Sequence, residues 1–137
     1  MRYLAIDLGD KRTGLAVGDD VTGIASPLAV IATANAGERL RQLARIIDEQ
    51  GPDALVLGLP VNMDGTHGPA AKKSQAFALE LRRRFGLPVH SIDERLTSHA
   101  ADALMSRSGL TRKGKKERRD ALAAAVLLRD FLENKKR

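Results

Sequence analysis

Acidic residues border several apolar segments of this chain, at positions where soluble proteins rarely place carboxylates. Four of them stand out: Asp7, Asp93, Glu94 and Asp120. Carboxylates brought close together repel one another strongly unless a cation lies between them. Sites built from oxygen ligands alone select Mg²⁺ or Mn²⁺ over softer metals. The sequence therefore predicts a magnesium or manganese site.

Predicted strands carry three of these carboxylates. Asp7 ends a nearly continuous apolar run, which is the pattern expected of a strand covered on both faces. Asp93 and Glu94 follow the segment 89–92 in the same way. Successive side chains of a strand point to opposite faces, so only one of this pair reaches a common site if the strand continues through both. A surface salt bridge with Arg95 is the alternative role of the pair.

Asp120 opens the apolar segment 121–128 and has two interpretations. Aspartate is a preferred helix N-cap, so a helix that begins here explains the residue without any chemistry. Residues 116–119 are good helix formers, however, and a helix that already includes them puts Asp120 on the face of Ala124 and Leu127. A carboxylate on that buried face needs a partner.

The segment 7–14 reads DLGDKRTG and combines a carboxylate at a strand end with a tight turn and two cations, Lys11 and Arg12. Turn chemistry alone is the alternative role of Asp7, because aspartate and glycine both favour turns. A P-loop is excluded, because Leu15 stands where its lysine is required.

The loop 60–68 follows a predicted strand and contains Asp64-Gly65, a strong turn signal. Loops at the carboxyl ends of strands in open α/β sheets commonly bind ligands, so Asn62 and Asp64 are also candidate substrate contacts. No two of the three histidines are three or four residues apart, and cysteine is absent. No zinc site is therefore predicted.

Basic residues concentrate in the segment 107–119. It holds seven bases against one acid, a local charge of +6 that equals the net charge of the whole chain. The segment also contains two glycines and is predicted to be a flexible basic loop, for which a solvated connector is the simpler interpretation. Its position directly before Asp120 favours instead a loop that binds a polyanion near the predicted metal site.

The composition bounds the class of protein. A chain of 137 residues with 43% hydrophobic residues is expected to form a single domain, 1–137, with a real core. Aromatic residues make up only 3% of the chain, which argues against binding by base stacking. The absence of cysteine excludes disulfides, and no secretory signal or membrane-spanning run is evident. We expect a cytoplasmic protein with no membrane partner.

Hydrophobic periodicity predicts strands that alternate with helices. Strands are expected near 2–8, 13–19, 24–32, 53–59 and 89–94, and helices near 37–50, 69–86, 98–107 and from the basic loop to about 133. This order indicates one α/β domain with a mixed five-stranded sheet flanked by helices.

Four motifs in order along the chain resemble the YqgF family, also called RuvX. They are DLGDKRTG at 7–14, GLPVNMDG at 58–65, DERLTS at 93–98 and a KK…D-A-x-A-A pattern at 115–124. The family consists of small bacterial proteins known as Holliday junction resolvases and as nucleases that process the 5′ end of pre-16S ribosomal RNA. One departure is Ser98, where the family commonly repeats the preceding threonine, but the hydroxyl is retained.

The resemblance implies a ribonuclease H-like domain and a nuclease that uses Mg²⁺ or Mn²⁺. It assigns the catalytic and metal-binding roles to Asp7, Glu94 and Asp120. Two cations held by these acids would activate a water and stabilise the leaving oxygen of a phosphodiester. The expected contacts to the substrate strand are Lys11, Arg12, Asn62, Asp64, Arg95, Thr97, Lys113, Lys115 and Lys116.

Two other classes of function stay open. A phosphotransferase of the actin/Hsp70 type also carries an Asp-x-Gly turn after its first strand, but it needs two lobes where this chain has one domain. A non-catalytic nucleic-acid adaptor would bind equally well without the carboxylates. The residues do not separate a structured RNA precursor from branched DNA as partner, nor a monomer from a homodimer.

Overall fold

A computed structural model of the protein describes residues 1–62, 64–94 and 112–135, the last segment with side chains from residue 119. These residues form five strands and three helices. In chain order they are β1 (Arg2–Asp7), β2 (Arg12–Asp19), β3 (Ala25–Ala32), α1 (Ala36–Gln50), β4 (Ala54–Leu59), α2 (Pro69–Phe85), β5 (Val89–Asp93) and α3 (Arg112–Lys135).

The five strands form one mixed sheet in the order β3-β2-β1-β4-β5. The pairs β1–β2 and β2–β3 are antiparallel, because short turns connect these strands. The pairs β1–β4 and β4–β5 are parallel; β2, β3 and α1 lie between β1 and β4 in the sequence, and α2 connects β4 to β5. The predicted α/β class and the mixed five-stranded sheet are confirmed. In such a sheet the carboxyl ends of β1, β4 and β5 lie along one edge.

Helices cover both faces of the sheet, which explains why β1 and β4 are almost entirely apolar. Leu4 and Ile6 of β1 pack into the layer that includes Leu43 of α1 and Leu81 of α2. The intervening β1 residues, such as Ala5, pack into a second layer with residues of α3. Alternation along β1 therefore places Asp7 on the sheet face that α3 covers.

Capping residues set the limits of the first helix. The Asn35 side chain accepts a hydrogen bond of 2.8 Å from the backbone N–H of Glu38 at the start of α1. Gly51 ends the helix in the left-handed conformation at φ 57°, and its N–H donates to the Ile47 carbonyl. The helix end predicted at Gly51 is thus confirmed.

The basic segment differs from the prediction of a loop over 107–119. Residues 112–119 are instead the first two turns of α3, while 107–111 lie outside the described residues. Lysine, arginine and glutamate are good helix formers, and a helix that is anchored by its packed half extends readily through them despite the cost of about 1 kcal/mol for Gly114. The predicted helix at 98–107 also lies outside the described residues.

Within the described part of the chain, no helix has both the length and the apolar character needed to cross a membrane.

Candidate active site

Asp7 and Glu94 meet at the carboxyl edge of the parallel strands. Asp7 is the last residue of β1, and Glu94 directly follows β5. Burial raises the pKa of Glu94 to about 9, and its hydrogen bond with Asp7 and the charges of Asp7 and Asp93 act in the same direction. Protonated Glu94 therefore donates to the Asp7 carboxylate. Burial also raises the pKa of Asp7, with a further contribution from the Asp120 charge.

Gly58 of β4 makes room for Glu94. A Cβ atom at residue 58 would overlap the Glu94 carboxylate and would lie 2.8 Å from Cδ1 of Leu127 on α3. The strand between β1 and β5 must therefore lack a side chain at this point for Glu94 to reach Asp7. Sequence reasoning missed this residue, although a glycine inside a strand pattern signals close approach of another group.

Gly14 of β2 places Asp120 near the same edge. A Cβ atom at residue 14 would overlap the main-chain carbonyl of Asp120 and lie 3.1 Å from the Ala121 nitrogen, so α3 rests directly on β2 here. Gly14 is also the antiparallel partner of Asp7. The helix thus brings Asp120 to the strand end that carries Asp7, although the two residues are far apart in sequence.

The N-cap interpretation of Asp120 is wrong, because α3 begins at Arg112 and Asp120 lies inside the helix. The other interpretation is confirmed in part, since Ala124 and Leu127 on the same helical face are fully buried or nearly so. Asp120 itself is partly exposed, and its carboxylate has a cationic partner. The Nε of Arg12 donates to Oδ2 of Asp120 at 2.8 Å.

The donor set has the chemistry of a site for a hard divalent cation. Its three acids supply only oxygen ligands, which suit Mg²⁺ and Mn²⁺. Asp7 and Glu94 share one proton, and a cation between them would replace that proton. In the present conformation Asp120 is bonded to Arg12, and among the residues described no three acidic or histidine side chains lie close enough together to hold one ion.

The other predicted contact residues have mixed positions. Lys11 is exposed in the β1–β2 turn. Asn62 and Asp64 are exposed in the loop after β4, where the Asn62 side chain donates to Thr66 Oγ1 at 3.0 Å. Asp64 accepts from the N–H of Thr66 at 2.9 Å, so its predicted turn role is confirmed. Arg95 and Thr97 lie outside the described residues, and of Lys113, Lys115 and Lys116 only the helical backbone is described.

Sequence reasoning missed two residues that hold the β1–β2 turn. Arg39 of α1 is buried, and its Nη2 donates to the carbonyls of Gly9, Asp10 and Thr33 at 3.3, 2.8 and 3.2 Å. Lys73 of α2 donates to Oδ1 of Asp10 at 2.7 Å, and this hydrogen bond lowers the pKa of Asp10. Arg39 is four residues before Leu43, so the helical spacing places it on the apolar face of α1. This position could have indicated that Arg39 is buried.

A family model described as "RuvX: Holliday junction resolvase" matches residues 1–134. The chain belongs to the RuvX family. Among curated RuvX-like relatives, a protein of Geobacillus kaustophilus is 43% identical over 99% of this chain and 100% of its own length. One of Chromobacterium violaceum is 43% identical over 95% of this chain and 96% of its own. Both are named "Putative pre-16S rRNA nuclease".

Solved structures share the fold of this RuvX-family chain at low sequence identity. Fowlpox virus resolvase, in complex with Holliday junction DNA, covers 100% of both chains with a TM-score of 0.65 and 13% identity. RuvC of T. thermophilus, also in complex with a Holliday junction, covers 99% of this chain and 96% of its own, with a TM-score of 0.64 and 17% identity. The expected ribonuclease H-like fold is confirmed.

Proposed function

We propose that this RuvX-family protein is a metal-dependent nuclease that hydrolyses phosphodiester bonds, with Mg²⁺ or Mn²⁺ held by Asp7, Glu94 and Asp120. The observation that carries the proposal is the position of these acids at one sheet edge, where Asp7 is hydrogen-bonded to Glu94 and the Asp120 charge acts on Asp7. The two glycines support it further, because a Cβ atom added at Gly14 would displace Asp120 and one added at Gly58 would displace Glu94.

We assign metal binding and phosphate binding to different residues of the chain. When bound, divalent cations would activate a water and neutralise the leaving oxygen of the phosphodiester. Asp7, Glu94 and Asp120 would hold these cations, so the reaction needs no protein nucleophile. Lys11 lies in the adjacent turn and would bind a flanking phosphate without reading its base. Asn62 and Asp64, in the loop after β4, are further proposed contacts, together with Arg95, Thr97, Lys113, Lys115 and Lys116.

We propose pre-16S ribosomal RNA as the substrate, because relatives more than 40% identical over nearly the full chain are named "Putative pre-16S rRNA nuclease". The resemblance to the YqgF family implies that the cleavage site is at the 5′ end. The description of the family model supports a second candidate, a Holliday junction in DNA. Both substrates are polyanions, which suits the basic residues that precede Asp120 in the sequence. The protein would act in the cytoplasm.

The test is cleavage of both substrates by purified protein with Mn²⁺ and with EDTA. We expect Mn²⁺-dependent cleavage of the RNA precursor at its 5′ end and slower or no cleavage of the junction. The reverse preference would favour the second candidate. Contaminating nuclease is excluded by the variant Glu94→Gln, which should lose activity.

A matched control comes from the neighbouring carboxylate. Asp93 is the last residue of β5 and directly precedes Glu94, but it points to the sheet face opposite that of Ile92, away from α3. Asp93→Asn therefore replaces a carboxyl group with an amide at the same strand end, as Glu94→Gln does. We expect Asp93→Asn to retain most of the activity that Glu94→Gln loses. If Glu94→Gln cleaves as well as the wild type, the assignment of the site is wrong. If neither the wild type nor Glu94→Gln cleaves but both bind nucleic acid equally, the chain is an adaptor.

A further inference from the structure

Arg12 occupies a special place among the cations of this edge, because it is bonded to one of the proposed metal ligands. It is the first residue of β2, and Gly14, two positions further on, lies under Asp120. Alternation along the strand puts Arg12 and Gly14 on the same sheet face, the one that α3 covers. The Arg12 side chain therefore reaches Asp120 directly, with Nε at 2.8 Å from Oδ2.

The charges of the cluster explain why this contact forms. Asp7 is hydrogen-bonded to Glu94, and the negative charge of the Asp120 carboxylate acts on that of Asp7. The guanidinium of Arg12 compensates for one of these charges. A divalent cation bound by Asp120 would do the same, and two positive groups cannot both lie against one carboxylate without repelling each other.

We propose that Arg12 is an exchangeable counterion of the metal site. In the metal-free protein it holds Asp120, and a divalent cation that binds Asp120 displaces it. The released guanidinium, whose side chain is already 41% exposed, then binds a substrate phosphate. Arginine suits this exchange because its planar donors bind carboxylate and phosphate with the same geometry. Metal binding would thus prepare a phosphate contact. This inference rests on the proposed metal-dependent function.

The exchange has a direct spectroscopic readout in the Arg12 side chain. An Nε–H group bonded to a carboxylate exchanges slowly with water and gives a distinct signal in ¹H–¹⁵N spectra. We expect one such arginine signal in EDTA, assigned by its disappearance in Arg12→Gln. A titration with diamagnetic Mg²⁺ should shift or broaden it in step with backbone signals of residues beside Asp7.

Calorimetry provides the second measurement, with Lys11→Gln at the neighbouring position as the charge-matched control. Removal of Arg12 frees Asp120 from a competitor, so Arg12→Gln should bind Mn²⁺ about two- to fivefold more tightly, the range expected for removal of a partly exposed ion pair. Lys11→Gln removes the same charge without freeing Asp120, and we expect a clearly smaller change.

The outcomes separate this inference from the proposed function. If backbone signals near Asp7 respond to Mg²⁺ while the Arg12 signal stays unchanged at saturation, the metal binds but Arg12 does not exchange. Equal Mn²⁺ affinities of Arg12→Gln and Lys11→Gln would also overturn the exchange alone. If no signal responds to Mg²⁺ and calorimetry detects no Mn²⁺ binding to any of the three proteins, the metal-dependent function itself fails.

Discussion

Removal of the Asp7 charge should stabilise the metal-free protein at alkaline pH. In the folded protein the pKa of Glu94 is about 9, against an ordinary value of 4.5, so Glu94 keeps its proton over most of this pH range. The folded state thus binds more protons than the unfolded state between these values. This contribution to stability is fully present below pH 4.5 and is lost as the pH rises to about 9, at up to about 1.4 kcal/mol per pH unit.

The magnitude for Asp7→Asn follows from the causes of this raised pKa. Burial is the largest cause and persists in the variant, whereas the effects of the Asp7 charge disappear. We therefore expect the free energy of unfolding in EDTA to increase by about 1–3 kcal/mol at pH 8. At pH 5 it should change little, because the amide oxygen that replaces the carboxylate still accepts a hydrogen bond from protonated Glu94.

Urea unfolding at pH 5 and pH 8 measures the difference. Asp48→Asn, on α1, removes one negative charge far from the cluster and should have the same small effect at both values. Added Mg²⁺ should reverse the order at pH 8, since about 4.1 kcal/mol of stabilisation at 1,000 times Kd is available only to a protein with the intact site. An Asp7→Asn protein that gains no more stability at pH 8 than at pH 5 would refute this reasoning.

Four further predictions follow from the site and its supports. Ca²⁺ should bind without supporting cleavage, because its larger coordination sphere misplaces the attacking water; turnover with Ca²⁺ equal to that with Mn²⁺ would contradict this. In thermal and urea unfolding, Gly14→Ala should be less stable than Gly58→Ala, because its added Cβ overlaps the backbone of Asp120, whereas that of Gly58→Ala overlaps the movable carboxylate of Glu94. Gly58→Ala should lower the free energy of unfolding by about 1–3 kcal/mol and reduce activity. Arg39→Met should lower it by about 2–4 kcal/mol, because three main-chain carbonyls are left without their donor, and unchanged urea midpoints would exclude this role. A further variant replaces four bases with glutamine: Lys113, Lys115, Lys116 and Arg118. In this variant the slope of log K against log salt for nucleic-acid binding should become less steep by about 0.7–0.9 for each phosphate that is no longer bound. An unchanged slope would show that the segment does not bind phosphates.

Local patterns were sufficient to predict the elements that carry the acids. The apolar run before Asp7 indicates a strand covered on both faces, and the helical spacing from Asp120 to Ala124 indicates a buried face. Both signals depend on neighbours within a few residues, and the structure confirms both elements. The resemblance to the RuvX family, rather than spacing, selected Glu94 over Asp93 as a ligand.

The contacts between elements were beyond prediction from local patterns. The bond from Arg12 to Asp120 joins residues 108 positions apart, and the packing of Gly14 against the same helix depends on how α3 crosses the sheet. The prediction of a loop through residue 119 failed for a related reason. Charge density indicated a solvated loop, but a helix anchored by its packed half continues outward through residues of high helix propensity.

Anomalous diffraction from crystals of the wild-type protein soaked in Mn²⁺ tests the central claim most directly. We predict manganese density within coordination distance of carboxylate oxygens of Asp7, Glu94 and Asp120, with the Arg12 guanidinium turned away from Asp120. Crystals of Asp7→Asn soaked in parallel should show weaker density or none at this position. Manganese bound only elsewhere, with Asp120 still bonded to Arg12 at saturating Mn²⁺, would contradict the assignment of these three acids as the metal site.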